Sequence, residues 1–145
     1  MSRVKSTVLL TGASGWLSQH CYHFLSNSSD LSGAVDVHVT YRGPAIVDWV
    51  PTDHCHLMDF ADVTAIENVI MCVKPDVIIH TAAVTSPVVC EKESQNAKIV
   101  NNPEALVNSV RTHVPNCIVV FTSTDLVYNG EQEDGCLYKP TDDVL

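Results

Sequence analysis

Short β-branched runs that alternate with helix-spaced apolar segments constrain this chain more than any other feature. A strand apolar on both faces must be covered by helices on both sides, which is the condition of a parallel sheet. Val77-Ile78-Ile79 is the plainest such run. Residues 7–10 form an earlier one, ending at Gly12, and over residues 36–41 the flanking Val35, Val37 and Val39 alternate with polar positions until Arg42-Gly43-Pro44 stops the strand. A shorter strand is expected over 55–58 and a fifth over 117–122.

Between them, residues 16–25 place Leu17, Cys21, Phe24 and Leu25 at helical spacing, and a polar stretch closed by Gly33 ends the helix. From Asp62 the residues Val63, Ile66, Val69, Ile70 and Val73 keep an i, i+3, i+4, i+7 rhythm until Lys74-Pro75. Leu106, Val107 and Val110 mark a further helix, with Pro103 expected in its first turn. This βα alternation implies an α/β, doubly wound parallel sheet of order 3-2-1-4-5, with a ligand at the carboxyl ends of its strands.

With 145 residues the chain suits one domain, and no apolar stretch is long enough to span a membrane. Net charge is −9 and the eight Lys and Arg are scattered singly, which excludes a nucleic-acid-binding stripe but leaves room for an anionic cofactor held by backbone N–H groups and one cation. Six cysteines without a Cys-x-x-Cys pair read as reduced thiols, and residues 1–5 lead into a strand without a secretory h-region, so a cytoplasmic setting is expected. There Asn27-Ser28-Ser29 is a polar loop rather than a glycosylation site.

The strongest local signal is Thr11-Gly12-Ala13-Ser14-Gly15-Trp16-Leu17-Ser18, between the first strand and the first helix. Glycines there let the backbone approach a pyrophosphate, whose charge the helix N-terminus stabilises. Where the second strand ends, an NAD site calls for a carboxylate and an NADP site for a cation; the chain offers Thr40-Tyr41-Arg42-Gly43, so Arg42 points to NADP (NADPH) rather than NAD.

These motifs, together with Asp59 after Leu57-Met58, the run Pro75-Asp76-Val77-Ile78-Ile79-His80-Thr81-Ala82-Ala83, and Phe121-Thr122-Ser123-Thr124-Asp125-Leu126-Val127-Tyr128-Asn129-Gly130, resemble the extended short-chain dehydrogenase/reductases. Within that group the chain is most similar to dTDP-4-dehydrorhamnose reductases (RmlD-like) and to the related regulatory β subunit of methionine adenosyltransferase. The resemblance implies a Rossmann-like domain in which Gly12, Ser14, Gly15, Trp16 and Leu17 line the pyrophosphate and Asp59 accepts from the adenine amino group. It further implies that Ala82, Ala83 and Val84 pass beneath the nicotinamide ribose, and that Asn101 props the site from the following helix. Thr124 matches the catalytic Ser or Thr, with Asp125 and Tyr128 supporting its loop. Ser18 stands where the pattern has a third glycine, a position that governs how closely helix and strand pack.

The family's Tyr-x-x-x-Lys is not found: Tyr22, Tyr41, Tyr128 and Tyr138 are followed four residues later by Ser26, Ala45, Gln132 and Asp142. The expectation is therefore an N-terminal portion of a larger protein, one NAD(P)-binding domain over residues 1–145, incomplete on its C-terminal side, without a proton donor or substrate domain and inactive alone. The fifth strand would then leave an unpaired edge and make the chain poorly soluble. The complete protein would reduce the 4-keto group of a nucleotide sugar or, alternatively, act as a non-catalytic regulatory subunit whose partner is methionine adenosyltransferase. His54-Cys55-His56 lacks structural-zinc spacing and reads as part of a short strand, with no metal expected; His80 reads as a satisfied histidine at the edge of the core.

Overall fold

The computed structural model describes residues 5–31, 33–43 and 48–124. In chain order the elements are β1 (Ser6–Thr11), α1 (Trp16–Asn27), β2 (Val35–Tyr41), β3 (Cys55–Leu57), α2 (Val63–Val73), β4 (Val77–His80), α3 (Pro87–Lys92), α4 (Ser94–Asn101), α5 (Glu104–His113) and β5 (Ile118–Phe121), with short 3-10 turns at Ser29–Leu31 and Thr52–His54. The sheet has the order β3-β2-β1-β4-β5 and every pairing is parallel, the Rossmann-like α/β arrangement expected from the alternation.

Strand alternation explains the two cores. Val8 and Leu10 of β1 point to one face, where they meet Val37 and Val39 of β2 and the Cys21, Tyr22 and Leu25 side of α1. Leu9 points to the other face, against Ile66 and Ile70 of α2 and Leu106 and Val110 of α5. Leu9, Leu10, Ile66, Ile70, Ile78 and Leu106 lose essentially all solvent contact, and each such burial stabilises the fold by about 1.5–3 kcal/mol. β4 is likewise sandwiched, with Ile78 in the second core and Val77 and Ile79 against the first, as the two central neighbours of the sheet require.

Helix limits obey local chemistry. The Ala65 N–H donates to Asp62 Oδ1 at 3.1 Å, and α2 ends where Lys74 takes a left-handed conformation (φ 48°) ahead of Pro75. Pro103 stands one position earlier than expected: it precedes α5 with non-helical ψ (66°) rather than lying in the first turn. Helices α3 and α4 are short, α3 buries none of its residues, and of α4 only Ala97 and Val100 are buried. Strand β5 is shorter than residues 117–122, pairs only with β4 among the described residues, and leaves Ile118, Val120 and Phe121 exposed. No disulfide joins the described cysteines, and none of the described helices is long and apolar enough to cross a membrane.

Candidate functional site

The chain runs from β1 outward through β2 to β3 and then crosses back to β4 on the other side of β1, so a crevice opens beyond the carboxyl ends of β1 and β4. Gly12 turns the chain there with φ +76°, and a Cβ on it would sit 2.8 Å from the Ala82 Cα. No side chain other than hydrogen therefore fits between the two segments. The loop is tied down by Ala13 N–H to Thr40 O and Gly15 N–H to Gly12 O, both 2.8 Å. At Gly15 the chain enters α1 with no side-chain cap and no acid in the first turn. Helices α2 and α3, by contrast, are capped by Asp62 and Ser86. α4 and α5 are uncapped too, but α1 is the one whose start, Gly15 to Leu17, lines the crevice, so its first N–H groups and the positive end of its dipole face that space.

The floor of the crevice is a hydrogen-bond relay centred on a buried histidine. His80 is 1% exposed, with Nε2 3.2 Å from Val100 O and Nδ1 2.9 Å from Thr11 Oγ1. Because a carbonyl only accepts, Nε2 carries the proton, Nδ1 is bare, and the Thr11 hydroxyl donates to it. That leaves Thr11 Oγ1 free to accept, which it does from the N–H groups of Thr81 and Ala82, each at 3.2 Å. Burial holds the His80 pKa below its ordinary value, against the smaller opposing effect of the bond to Val100. Next along α4, Asn101 grips Val84 from both sides of the amide: Val84 N–H donates to Oδ1 at 2.8 Å and Nδ2 donates to Val84 O at 3.0 Å. β1, β4 and α4 are locked together under one surface.

Above that floor lies a cleft of about 960 Å³, near the upper end of what small-ligand sites occupy. Of the residues singled out from the sequence, Gly12, Ser14, Gly15, Trp16, Leu17, Arg42, Ala82, Ala83, Val84, Asn101 and Thr124 all line it. Asp59 does not. Its flanking Met58 and Phe60 do, while Asp59 Oδ1 accepts the Ala61 N–H at 2.9 Å and shapes the turn into α2. Among the described residues Arg42 is the one charged side chain on the cleft wall, and it makes no ion pair or hydrogen bond with them. Asp125 and Tyr128 lie outside the described residues. Sequence reasoning missed Thr11 and His80 as the hub of the floor; the signal available was a polar residue at the end of each of two apolar strands.

Ser18 in the third-glycine position is fully buried, and its hydroxyl has no hydrogen-bond partner among the described residues. A buried unpaired hydroxyl costs about 1–3 kcal/mol. Ser18→Ala is therefore expected to raise stability by roughly 1 kcal/mol, seen as a higher urea midpoint at unchanged m-value; a lower midpoint would show that the hydroxyl is paired.

Comparison with known proteins agrees with this geometry. The RmlD substrate binding domain family matches residues 6–145. The Bacillus subtilis spore coat polysaccharide biosynthesis protein SpsK is 31% identical over 75 residues, 52% of this chain and 26% of that protein. Among solved structures, a hypothetical dTDP-4-dehydrorhamnose reductase from Sulfolobus tokodaii is 28% identical with a TM-score of 0.75, over 96% of this chain and 45% of that one. The Bacillus anthracis dTDP-4-dehydrorhamnose reductase, solved with NADP, is 23% identical with a TM-score of 0.68, over 93% of this chain and 42% of that one. The Thermus thermophilus UDP-glucose 4-epimerase, solved with NAD, is 24% identical with a TM-score of 0.76, over 93% and 43%. The last two likenesses concern the fold alone, and the chain spans under half of each of these solved proteins and about a quarter of SpsK. With the family matched from β1 to the last residue, this chain belongs to the RmlD substrate binding domain family.

Proposed function

We infer that this chain is the NADP-binding part of a reductase that acts on the 4-keto group of a nucleotide-activated sugar. The observation that carries the cofactor preference is electrostatic. A chain of net charge −9 walls its cleft, among the described residues, with one charged side chain, and that side chain is a cation placed after β2. A carboxylate for a ribose 2′-hydroxyl is absent from that position, while Arg42 suits a 2′-phosphate.

The residues present fit the dinucleotide. Gly12, Ser14, Gly15, Trp16 and Leu17 would receive the pyrophosphate at the uncapped end of α1, and Asp59 would offer its second oxygen to the adenine amino group. Ala82, Ala83 and Val84, the last gripped by Asn101, would carry the nicotinamide ribose. Reduced nicotinamide supplies a hydride when bound. The chain's own contribution at the reacting carbonyl is the Thr124 hydroxyl, which would hydrogen-bond the substrate oxygen and hold it at the cleft mouth. With no Tyr-x-x-x-Lys in these residues, cofactor binding without turnover is expected of the 145-residue chain.

Calorimetric titration with NADPH and NADH tests the reading. Arg42→Ala is expected to weaken NADPH binding about 10- to 100-fold, the worth of a charge-assisted phosphate contact of about 1.5–3 kcal/mol, and to leave NADH within about two-fold. Equal losses for both cofactors, or none, would remove the NADP assignment. For a longer protein carrying this domain, turnover of a dTDP-4-keto sugar supports the reductase. NADPH binding without turnover, together with co-purification of methionine adenosyltransferase, would make it a regulatory subunit instead.

A further inference from the structure

On the sheet edge away from the cleft, five imidazole and carboxylate side chains converge that the dinucleotide site does not use. The parallel register Val39↔Cys55 sets His38 beside His54, and strand alternation puts Asp36 and His38 on one face. The two imidazole rings stack with centroids 4.4 Å apart. None of Asp36, His38, Asp53, His54 or His56 lines the cleft.

The geometry points to a binding site for one divalent transition-metal ion of the zinc class, held by Asp36, His38 and His54. Each residue offers one ligand atom, and the three atoms lie within 4.8 Å of one another. His54 Nε2 is 3.1 Å from Asp36 Oδ1, and His38 Nε2 is 3.6 Å from Asp36 Oδ2. Ligands on a tetrahedral ion with bonds of about 2.0–2.1 Å stand roughly 3.3 Å apart, so side-chain adjustment within the cluster would bring the three atoms onto one ion. At 3.6 Å His38 Nε2 makes a longer ion pair with the carboxylate that His54 also faces, so both imidazoles converge on Asp36.

A second observation concerns the opposite ring nitrogens. His54 Nδ1 lies 2.9 Å from Asp53 Oδ1, and His38 Nδ1 lies 3.0 Å from His56 Nε2. With Nδ1 engaged in each case, both Nε2 atoms face the Asp36 carboxylate; without an ion His54 Nε2–H donates to Asp36 Oδ1, and a metal would take the place of that proton. Outer partners of this kind fix tautomer and ring orientation around a metal. Two imidazoles with one carboxylate favour zinc, cobalt, nickel or copper over calcium and magnesium, which prefer all-oxygen cages. The ion would clip β2 to the turn before β3, with water completing its coordination.

The test uses tag-free 145-residue protein titrated with Zn2+ against a chromophoric chelator, and with Co2+ read by its visible spectrum. One ion per chain is expected, with affinity falling as acid protonates the imidazoles. His38→Gln and His54→Gln are each expected to lose at least about 100-fold in affinity, and Asp53→Asn, an exposed outer partner that leaves all three ligands in place, about 10-fold. Zn2+ should also raise the thermal midpoint of the native protein but not of His54→Gln. The site is overturned if the three variants bind like the parent. Thiolate-to-cobalt charge transfer would overturn it too, because the metal would then sit on cysteine.

Discussion

Gly12→Ala is expected to abolish dinucleotide binding and to cost more stability than any other glycine substitution in the described residues. Two penalties add there. A non-glycine residue in the left-handed region costs about 1–2 kcal/mol, and a methyl 2.8 Å from the Ala82 Cα must push apart two backbone segments, an overpacking cost of about 1–3 kcal/mol. The molecule supplies its own control: Gly33 (φ +69°) and Gly43 (φ +75°) share the backbone conformation, but nothing lies within 4 Å of a Cβ at either. Alanine at those positions should cost only the conformational part, about 1–2 kcal/mol, against about 2–5 kcal/mol at Gly12. Urea unfolding of the three variants reads the difference, and NADPH titration under native conditions reads binding. Equal losses at all three would mean that Gly12 does not meet β4's extension as described. Normal affinity in Gly12→Ala would separate this turn from the cofactor.

The sheet was legible because burial on both faces leaves its mark along the chain. β1 and β4 must be apolar at consecutive positions, and Leu9 and Leu10 enter opposite cores. Arg42 was legible for a related reason: a strand that ends at Tyr41 delivers the next residue to the carboxyl edge of the sheet. α4 was not, since Ser94–Asn101 shows the solvent a mostly polar sequence and buries only Ala97 and Val100. Asp59 has a second role that the motif did not show: its Oδ1 closes a local turn with Ala61. An Asp two residues before such an N–H is a common turn device. The histidine cluster depends on register. His54-Cys55-His56 examined as a linear triplet shows no ligand spacing, and its geometry emerges only when β2 and β3 pair and bring His38 alongside. The floor relay joins Thr11 to His80 across 69 positions, a distance no local pattern spans.

That relay makes the fold acid-sensitive in a way one residue controls. The folded protein holds His80 neutral, with burial keeping its pKa below the ordinary value, while the unfolded chain takes up a proton normally near pH 6.5. Between the two values the unfolded state binds more protons, so stability falls as pH drops below about 6.5 and levels off once the folded value is passed. Above that window His80 contributes no pH dependence. His38 and His56 are also lowered by burial and act in the same direction, whereas His54, raised chiefly by its hydrogen bond to Asp53, acts in the opposite one. Those three remain in any His80 variant and cancel in the comparison. His80→Gln can still donate to Val100 and accept from Thr11 but cannot titrate, so its deficit relative to the parent should shrink between pH about 8 and pH about 5. His80→Leu strands the Val100 carbonyl and the Thr11 hydroxyl, at about 2–4 kcal/mol, and its loosened floor should weaken NADPH binding even at pH about 8. Urea midpoints at the two pH values measure the first effect and calorimetry the second. If the parent and His80→Gln lost stability in parallel on acidification, His80 would not be the neutral, buried member of the relay, and the tautomer assigned to it would have to be abandoned.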